Sequence, residues 1–496
     1  MLILEFKLST MKKILLNIFI GLSVVLTSCN EELLNPIPPI TFSEAVVFDT
    51  PQRVEQVLNG LYATLINGQF YGGRYQVYND IRAEEFSNRT TNGVTGLATW
   101  QHTTVSTTNE VQNLWSVAYL AINRANIFIE GVNTARTGVL EPAVAQNYIA
   151  QARFIRGLTY FALLQLYARP YISDNGASPG LPLRLVPELS DANNDLARST
   201  VAQVYAQILE DLNFAEQNLA ATNASPYLNT TRAHKNSAIA LKTRVYLAMG
   251  QYDNVILEAN KIVSAIAPFT ATSGVSHSLQ PTVAAVFSTP YTTTESIFSA
   301  PFTELALPGT QNALGSYYNP GPRGIGDYSL NLQTGIFANP VFNAANDARA
   351  AWRFVVTNDA GVSITYLNKF PRGPQHLDFA PIIRYAEVLL NLSEALVRSG
   401  GDQGRALALL NAVRTRSNSQ GAYAAFSTSA AFIEAILLER RLEFVGEGLR
   451  SFDLLRTLQP IPGKENVQAV PVSSSNYIWP IPADELLFND LMEPNP

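Results

Sequence analysis

Tyr148-Ile-Ala-Gln-Ala-Arg-Phe-Ile-Arg-Gly-Leu-Thr-Tyr-Phe-Ala-Leu-Leu-Gln-Leu-Tyr-Ala-Arg-Pro170 decides how the rest of the chain is read. Ile155, Leu158, Ala162 and Leu166 recur three and four apart, one stripe of an α-helix, while Phe154, Phe161 and Leu164 widen the stripe towards the full circumference. A helix apolar on most sides has to be covered by neighbours, so the stretch predicts the central helix of a mostly helical domain built from helix pairs. Gly157 costs about 1 kcal/mol against alanine in a helix interior, which points to a second helix crossing closely there. Arg153 and Arg156 then need acids from the packed neighbours.

The chain of 496 residues exceeds a usual single core, so an elongated helical array with an insertion, or two lobes, is expected. Hydrophobic residues make up 47%, enough for a large core, and charged residues only 15%, below the ~25% of ordinary soluble domains. Asn, Thr, Ser, Gly and Pro fill the difference, a surface suited to neutral polar ligands. A net charge of −6 and no basic run argue against nucleic acid, whose phosphates need clustered Lys and Arg.

Lys12 and Lys13 precede an apolar run, Ile14 to Leu26, broken by Asn17, Gly21 and Ser23. The run has the length of a secretory signal and falls short of the ~20 residues of a membrane span. Residues 1–28 are therefore expected to be a signal peptide, with translation starting at Met11. Cys29, the one cysteine, excludes an intramolecular disulfide and a cysteine zinc site. Small residues before it, Leu26-Thr27-Ser28, resemble the bacterial lipoprotein signal, which implies a lipid-modified Cys29 as mature N-terminus and attachment to a membrane. Asn30-Glu31-Glu32 resemble the surface-export signal of Bacteroidetes lipoproteins.

The predicted domains follow in order. Residues 29–40 form a Pro-rich tether. Residues 41–267 form an N-terminal helical region, with a helix start at Thr41 or Ser43, a helix opened by Pro51 with face Val54, Val57, Leu58 and Leu61, and another through Val111, Leu114, Trp115, Ala118, Ile122 and Ala125. Within it, residues 67–109 lose helical periodicity and are long for a loop, which marks them as functional or strand-bearing. Thr200 is placed to cap a helix through Val204, Ile208, Leu212 and Leu219. Ala238 to Asp253 runs through alternating small and large apolar residues to a glycine turn and a returning helix, as in a tetratricopeptide repeat. A second copy runs from Tyr385 to Arg416 across Gly400-Gly401. Residues 268–380 interrupt the array as a loop-rich insertion with β-like runs at 296–299 and 363–367, expected on one face of it. Residues 381–496 form the C-terminal helical region, in which Glu439, Arg441, Glu443 and Glu447 read as an ion-paired helix face. The predicted class is mainly α: tetratricopeptide-like pairs in a right-handed array, with a partly β insertion lobe.

Several motifs in one order resemble the SusD/RagB family. They are Arg153-Phe-Ile-Arg-Gly157 with Tyr160-Phe161, Asp347-Ala-Arg349, Lys369-Phe370, and Pro381-Ile-Ile-Arg-Tyr-Ala-Glu-Val-Leu-Leu390 with Glu394-Ala395. Glu439-Arg-Arg-Leu-Glu-Phe444, Glu447-Gly448, Arg450, Phe452-Asp-Leu454, Arg456 and Trp479-Pro-Ile-Pro-Ala-Asp-Glu-Leu486 complete the set. Residues 489–496 lack the longer tail associated with the family.

The resemblance implies an outer-membrane lipoprotein facing the cell exterior. Such a protein captures a nutrient, usually an oligosaccharide, and hands it to a SusC-like TonB-dependent transporter, its helices contacting the transporter and its loops the ligand. Sugars present C–H faces rimmed by hydroxyls, so a binder needs flat aromatic surfaces edged by amides and carboxylates. Candidates in the two non-helical regions are Tyr71, Tyr75, Tyr78, Asn79, Asp80, Trp100 and His102, then Tyr291, Tyr317, Tyr318, Asn319 and Tyr328. Trp115, Trp352 and Trp479 read as core, whereas Trp100 is either a ligand platform or a loop anchor.

Catalysis is not expected. Gly176-Ala-Ser-Pro-Gly180 has the spacing of a serine nucleophile elbow, but Pro179 lacks the N–H that must help hold the oxyanion. Glu84-Glu85 are adjacent in sequence, which does not place two carboxyls across a glycosidic bond. His102, His234, His277 and His376 show no metal spacing, so neither metal nor cofactor is predicted. The alternative function is a helical-repeat scaffold binding only proteins.

Overall fold

The structure is a computed structural model that describes residues 47–357 and 359–495. The signal peptide, Cys29, the tether and the helix start at Thr41 or Ser43 lie outside the described residues.

In chain order the principal helices are α1 (Pro51–Leu65), α2 (Arg74–Ile81), α3 (Leu97–Gln101), α4 (Asn109–Thr134), α5 (Pro142–Tyr167), α6 (Val201–Asn218), α7 (Pro226–Thr231), α8 (Lys235–Ala248) and α9 (Tyr252–Ala259). After the strand-bearing segment come α10 (Tyr385–Arg398), α11 (Gln403–Ser417), α12 (Ser429–Phe444), α13 (Arg450–Arg456) and α14 (Ala483–Phe488). Six short strands, β1 (Phe86–Asn88), β2 (Ser296–Ala300), β3 (Tyr328–Leu330), β4 (Arg353–Thr357), β5 (Ser363–Leu367) and β6 (Ala380–Arg384), form three antiparallel pairs, β1–β3, β2–β6 and β4–β5. The mainly helical architecture matches the expectation.

The central helix is α5, buried on nearly every side from Ile149 to Tyr167. It packs between α4 and α6. Arg153 donates to Asp211 and Glu210, each at 2.7 Å, and Arg156 clamps Asp211 at 2.7 and 2.8 Å, so the acids predicted from its two arginines come from α6. At Gly157 the crossing helix is α6, yet an added Cβ would stand 3.5 Å from Asp211, Ile208 and Leu212. That is ordinary contact, so the crossing is close without demanding glycine. Thr200 caps α6 in a reciprocal box with Gln203, a device worth about 1 kcal/mol.

Both repeat-like pairs form, α8 with α9 and α10 with α11, each turning through a glycine at positive φ (Gly250, +69°; Gly400, +74°). The insertion does not stand apart from the array. β2 is buried along its whole length, Phe298 packs edge-on against Phe154 of α5 at 5.3 Å, and β3 pairs with β1 from the first irregular region. One hydrophobic core therefore takes residues from all three predicted segments.

A buried ion network ties the insertion to the C-terminal helices. Arg349 bonds Asp347 and Glu439; Arg384 bonds Glu295, Glu443 and Glu447; Arg416 bonds Glu295 and Glu443; Lys369 bonds Glu447. The mixed charges of α12 are thus ion-paired as expected, but Glu439 and Glu443 face the interior. The short C-terminal end docks by amides: Asn489 exchanges two 2.9 Å bonds with the backbone of Leu196, and Asn495 donates to the carbonyls of Tyr167 (3.0 Å) and Trp479 (2.7 Å).

Candidate functional site

The two irregular regions meet, and they meet in the core. β1 and β3 align Phe86 with Leu330 and Asn88 with Tyr328. Tyr318 stacks on Phe86 at 4.7 Å, Tyr317 on Tyr328 at 6.2 Å, and the Tyr328 hydroxyl donates to the Thr95 carbonyl. Tyr71 and Tyr75 pack on each other and on Phe70, and Tyr78 packs on Trp479. Tyr71, Tyr75, Tyr78, Asn79, Asp80, Trp100, His102, Tyr291, Tyr317, Tyr318, Asn319 and Tyr328 are all buried, Trp100 to 3% exposure. Instead of the expected open aromatic platform, the rings of Tyr71, Tyr75, Tyr78, Tyr317, Tyr318 and Tyr328 pack against protein. Of the two readings of Trp100, the loop anchor is the one its geometry fits. Its indole N–H donates to the Phe86 carbonyl at 2.9 Å. Trp115, Trp352 and Trp479 are core, as read.

Asp80 shows what this burial does to chemistry. Its carboxyl accepts from the Gly448 N–H (3.0 Å) and the Tyr318 hydroxyl (3.3 Å), and burial pushes its pKa well above the usual carboxylate range. Gly448 is required for the approach: at φ +79° its added Cβ would stand 2.6 Å from the Gln76 Cα. Because the folded pKa is raised, the unfolded chain releases this proton first, so the group's contribution to stability falls as pH rises from the ordinary carboxylate value. Asp80→Asn is accordingly expected to raise the urea midpoint at pH 8 and to match wild type near pH 4. An equal difference at both pH values would contradict a buried, protonated Asp80.

The solvent-facing part of this region is the turn after Trp100. His102 caps α3 at φ +57° and, with Gln101, lines a cleft of ≈ 420 Å3 whose other wall is Asn466, Val467, Gln468, Ala469, Val470, Pro471, Ser474 and Asn476. The volume lies in the ~300–1,000 Å3 range of ligand clefts. Burial and the neighbouring Lys464 charge pull His102 down to about 4, so at neutral pH the ring is uncharged, with Nε2 2.7 Å from the Arg82 carbonyl as donor. Lys464 is turned inward and donates to the carbonyls of Ile81, Arg82 and Ala83 at 2.6–3.0 Å, where the C-terminal end of α2 favours a cation. The cleft thus presents neutral amides, a hydroxyl and aliphatic patches. Its far wall, residues 466–476, carries no aromatic and no periodicity, so its only signal in the sequence is the polar run between two helices.

A larger groove of ≈ 710 Å3 between α12 and α13 has a different character. Its Arg398, Arg441, Arg450 and Arg456 are engaged by Glu394, Glu84, Glu85 and Asp453. Glu84 and Glu85 are held by Arg441 and Arg450 as structural ion pairs, and the Ser178 hydroxyl donates to Asp174. Dispersed in sequence, His234 and His277 stack at 5.3 Å; burial lowers His234 to about 3, with the His277 charge adding to it, and burial lowers His277 to about 4. Among the described residues no cluster of three or more His, Cys, Asp or Glu could hold a metal ion. None of their helices is long and apolar enough to cross a membrane.

Two family models match the chain, one described as "Starch-binding associating with outer membrane" over residues 34–247 and one as "SusD family" over residues 373–496. The SusD-like protein P2 of Formosa agariphila is 24% identical over 96% of this chain and 98% of its own. A SusD superfamily protein from Bacteroides fragilis is 33% identical, with a TM-score of 0.80 over 90% of this chain and 100% of that one. A structure described as a "Laminarin binding SusD-like protein" shares the fold at 22% identity, with a TM-score of 0.70 over 90% of this chain and 99% of that one.

Proposed function

Because the chain belongs to the SusD/RagB family, we propose that it is a lipid-anchored receptor on the cell surface that captures an oligosaccharide and passes it to a SusC-like TonB-dependent transporter. The observation that carries this reading is the neutral, amide-lined cleft at Gln101, His102, Asn466, Gln468 and Asn476. Sugar hydroxyls each donate and accept, and the side-chain amides of Gln101, Asn466, Gln468 and Asn476 do the same without the desolvation cost of a charge. Val467, Ala469 and Pro471 supply apolar contact for C–H groups. A structural relative described as laminarin-binding makes laminarin the first ligand to try. Cys29 behind the apolar run supports the anchor, and the family description supports the outer membrane.

Titration calorimetry on residues 30–496 with laminarin oligosaccharides, together with starch and other glycan oligomers, tests this. Wild type is expected to bind at least one saturably. Gln101→Ala combined with Gln468→Ala, both exposed, is expected to weaken that binding roughly tenfold or more, each lost hydrogen bond being worth ~0.5–1.5 kcal/mol. Co-purification of the native protein with a TonB-dependent barrel, and no saccharide binding at all, would favour the protein-only scaffold instead.

A further inference from the structure

Tyr291 is the one aromatic of the expected set that joins a cluster reaching solvent. Its ring lies parallel to Phe379, with centroids 5.0 Å apart and planes at 22°, and its hydroxyl donates to Asp378 at 3.0 Å. Phe379, which is half-buried, meets Tyr227 of α7 at 6.3 Å and 74°. Tyr227 is 43% exposed. The three rings come from three distant segments: the six-residue helix α7, the start of the insertion and the approach to β6. They make two nearly perpendicular aromatic walls, with Tyr291 backing the inner one.

This corner is built. The second Asp378 oxygen accepts the Arg372 backbone N–H at 2.9 Å, which fixes the chain just before Phe379. Ser225 caps α7 through the Leu228 N–H, and Asn223 and Asn229 bond across its first turn, which holds Tyr227 outward. Two exposed polar residues flank the cluster along the chain: Thr289, two positions before Tyr291, and Arg372, whose backbone N–H bonds Asp378. A parallel ring pair with an exposed third ring at right angles is more than a core needs. Large apolar side chains left accessible beside donors are what a carbohydrate ring requires, its C–H face against an aromatic and its hydroxyls against those donors.

We infer that Tyr227, Phe379 and Tyr291 form a second saccharide-binding surface, built from elements other than those of the cleft at His102 and taking one pyranose residue of a glycan. The inference rests on the carbohydrate-binding reading but not on the cleft. A chain held at two places gains avidity through effective concentration, so this surface favours polymers over short oligomers.

The test uses residues 30–496 with Tyr227→Ala and, separately, Phe379→Leu, titrated with laminarin polymer and laminarin oligosaccharides, and with starch should laminarin not bind. Tyr227 is exposed, so its variant is expected to keep the wild-type melting temperature, and Phe379→Leu keeps apolar volume while removing the ring. Each is expected to lose about tenfold in affinity for the polymer, the order of one aromatic stacking contact, while Tyr227→Trp restores it. Wild-type binding that both variants retain unchanged overturns this inference and leaves the carbohydrate reading standing. Absence of binding by wild type to any glycan overturns both.

Discussion

Arg384→Ala is expected to cost the folded protein ~3–5 kcal/mol, because it leaves three buried carboxylates short of their cation. Arg384 donates to Glu447 at 2.7 Å from both Nε and Nη2, to Glu295 at 2.6 Å and to Glu443 at 2.9 Å. Burial disfavours the Arg384 charge, and the Glu447, Glu443 and Glu295 carboxylates outweigh it and hold its pKa well above the usual range. Glu443 would be left mainly to Arg416 and, at longer range, Arg349. Urea denaturation followed by far-ultraviolet circular dichroism measures the loss. Arg384→Ala combined with Glu443→Gln should recover part of it, since one uncompensated charge goes with its partner. A single variant within 1 kcal/mol of wild type would show that the network is not a structural keystone.

Trp100→Ala carries the second large effect. The side chain is buried against the β1 region and its N–H is bonded to the Phe86 carbonyl, so truncation leaves a cavity and an unpaired acceptor, at ~3–5 kcal/mol. Trp100→Phe keeps most of the volume and gives up the hydrogen bond, an effect of about 1 kcal/mol on that account. If Trp100 were instead an exposed sugar platform, alanine would leave the melting temperature in place and abolish binding. Differential scanning fluorimetry with a glycan titration on the surviving fold separates the two outcomes.

Much of the scaffold was legible because helical periodicity survives wherever one face is solvated or one neighbour dominates. α1, α4, α6 and the two glycine-turn pairs were read from spacing, and the capping box at Thr200 from residue type. α2 escaped because all eight of its residues are buried, which erases the contrast between faces on which the pattern depends. The same enclosure hides which residues of the irregular regions face solvent. Tyr, Asn, Thr and Gly in a non-periodic stretch describe a polar loop equally well as a packed irregular core whose hydroxyls and amides bond to backbone. Tyr328 bonding to Thr95 and Asn331 to Glu84 show the second case. What resolves the two is long-range pairing, β1 to β3 across about 240 residues, which no local spacing reveals.

The family motifs found in the sequence also acquire a physical meaning. Asp347, Arg349, Lys369, Arg384, Glu439, Glu443 and Glu447 are members of one buried ion network, and Arg153 and Arg156 of another with Asp211. Their recurrence in order along the chain marks the fold and carries no ligand information. The two surfaces proposed for the ligand, the His102 cleft and the Tyr227 corner, lie outside these motifs.

Hydrogen–deuterium exchange of residues 30–496 with and without a saturating glycan tests the central claim most directly, that an outward polar surface and not the buried aromatic hub meets the saccharide. The account predicts slowed exchange in segments 97–103 and 464–477, with 71–80 and 314–330 unchanged. Protection confined to 71–80 and 314–330, or a glycan panel that leaves every segment untouched, would contradict it.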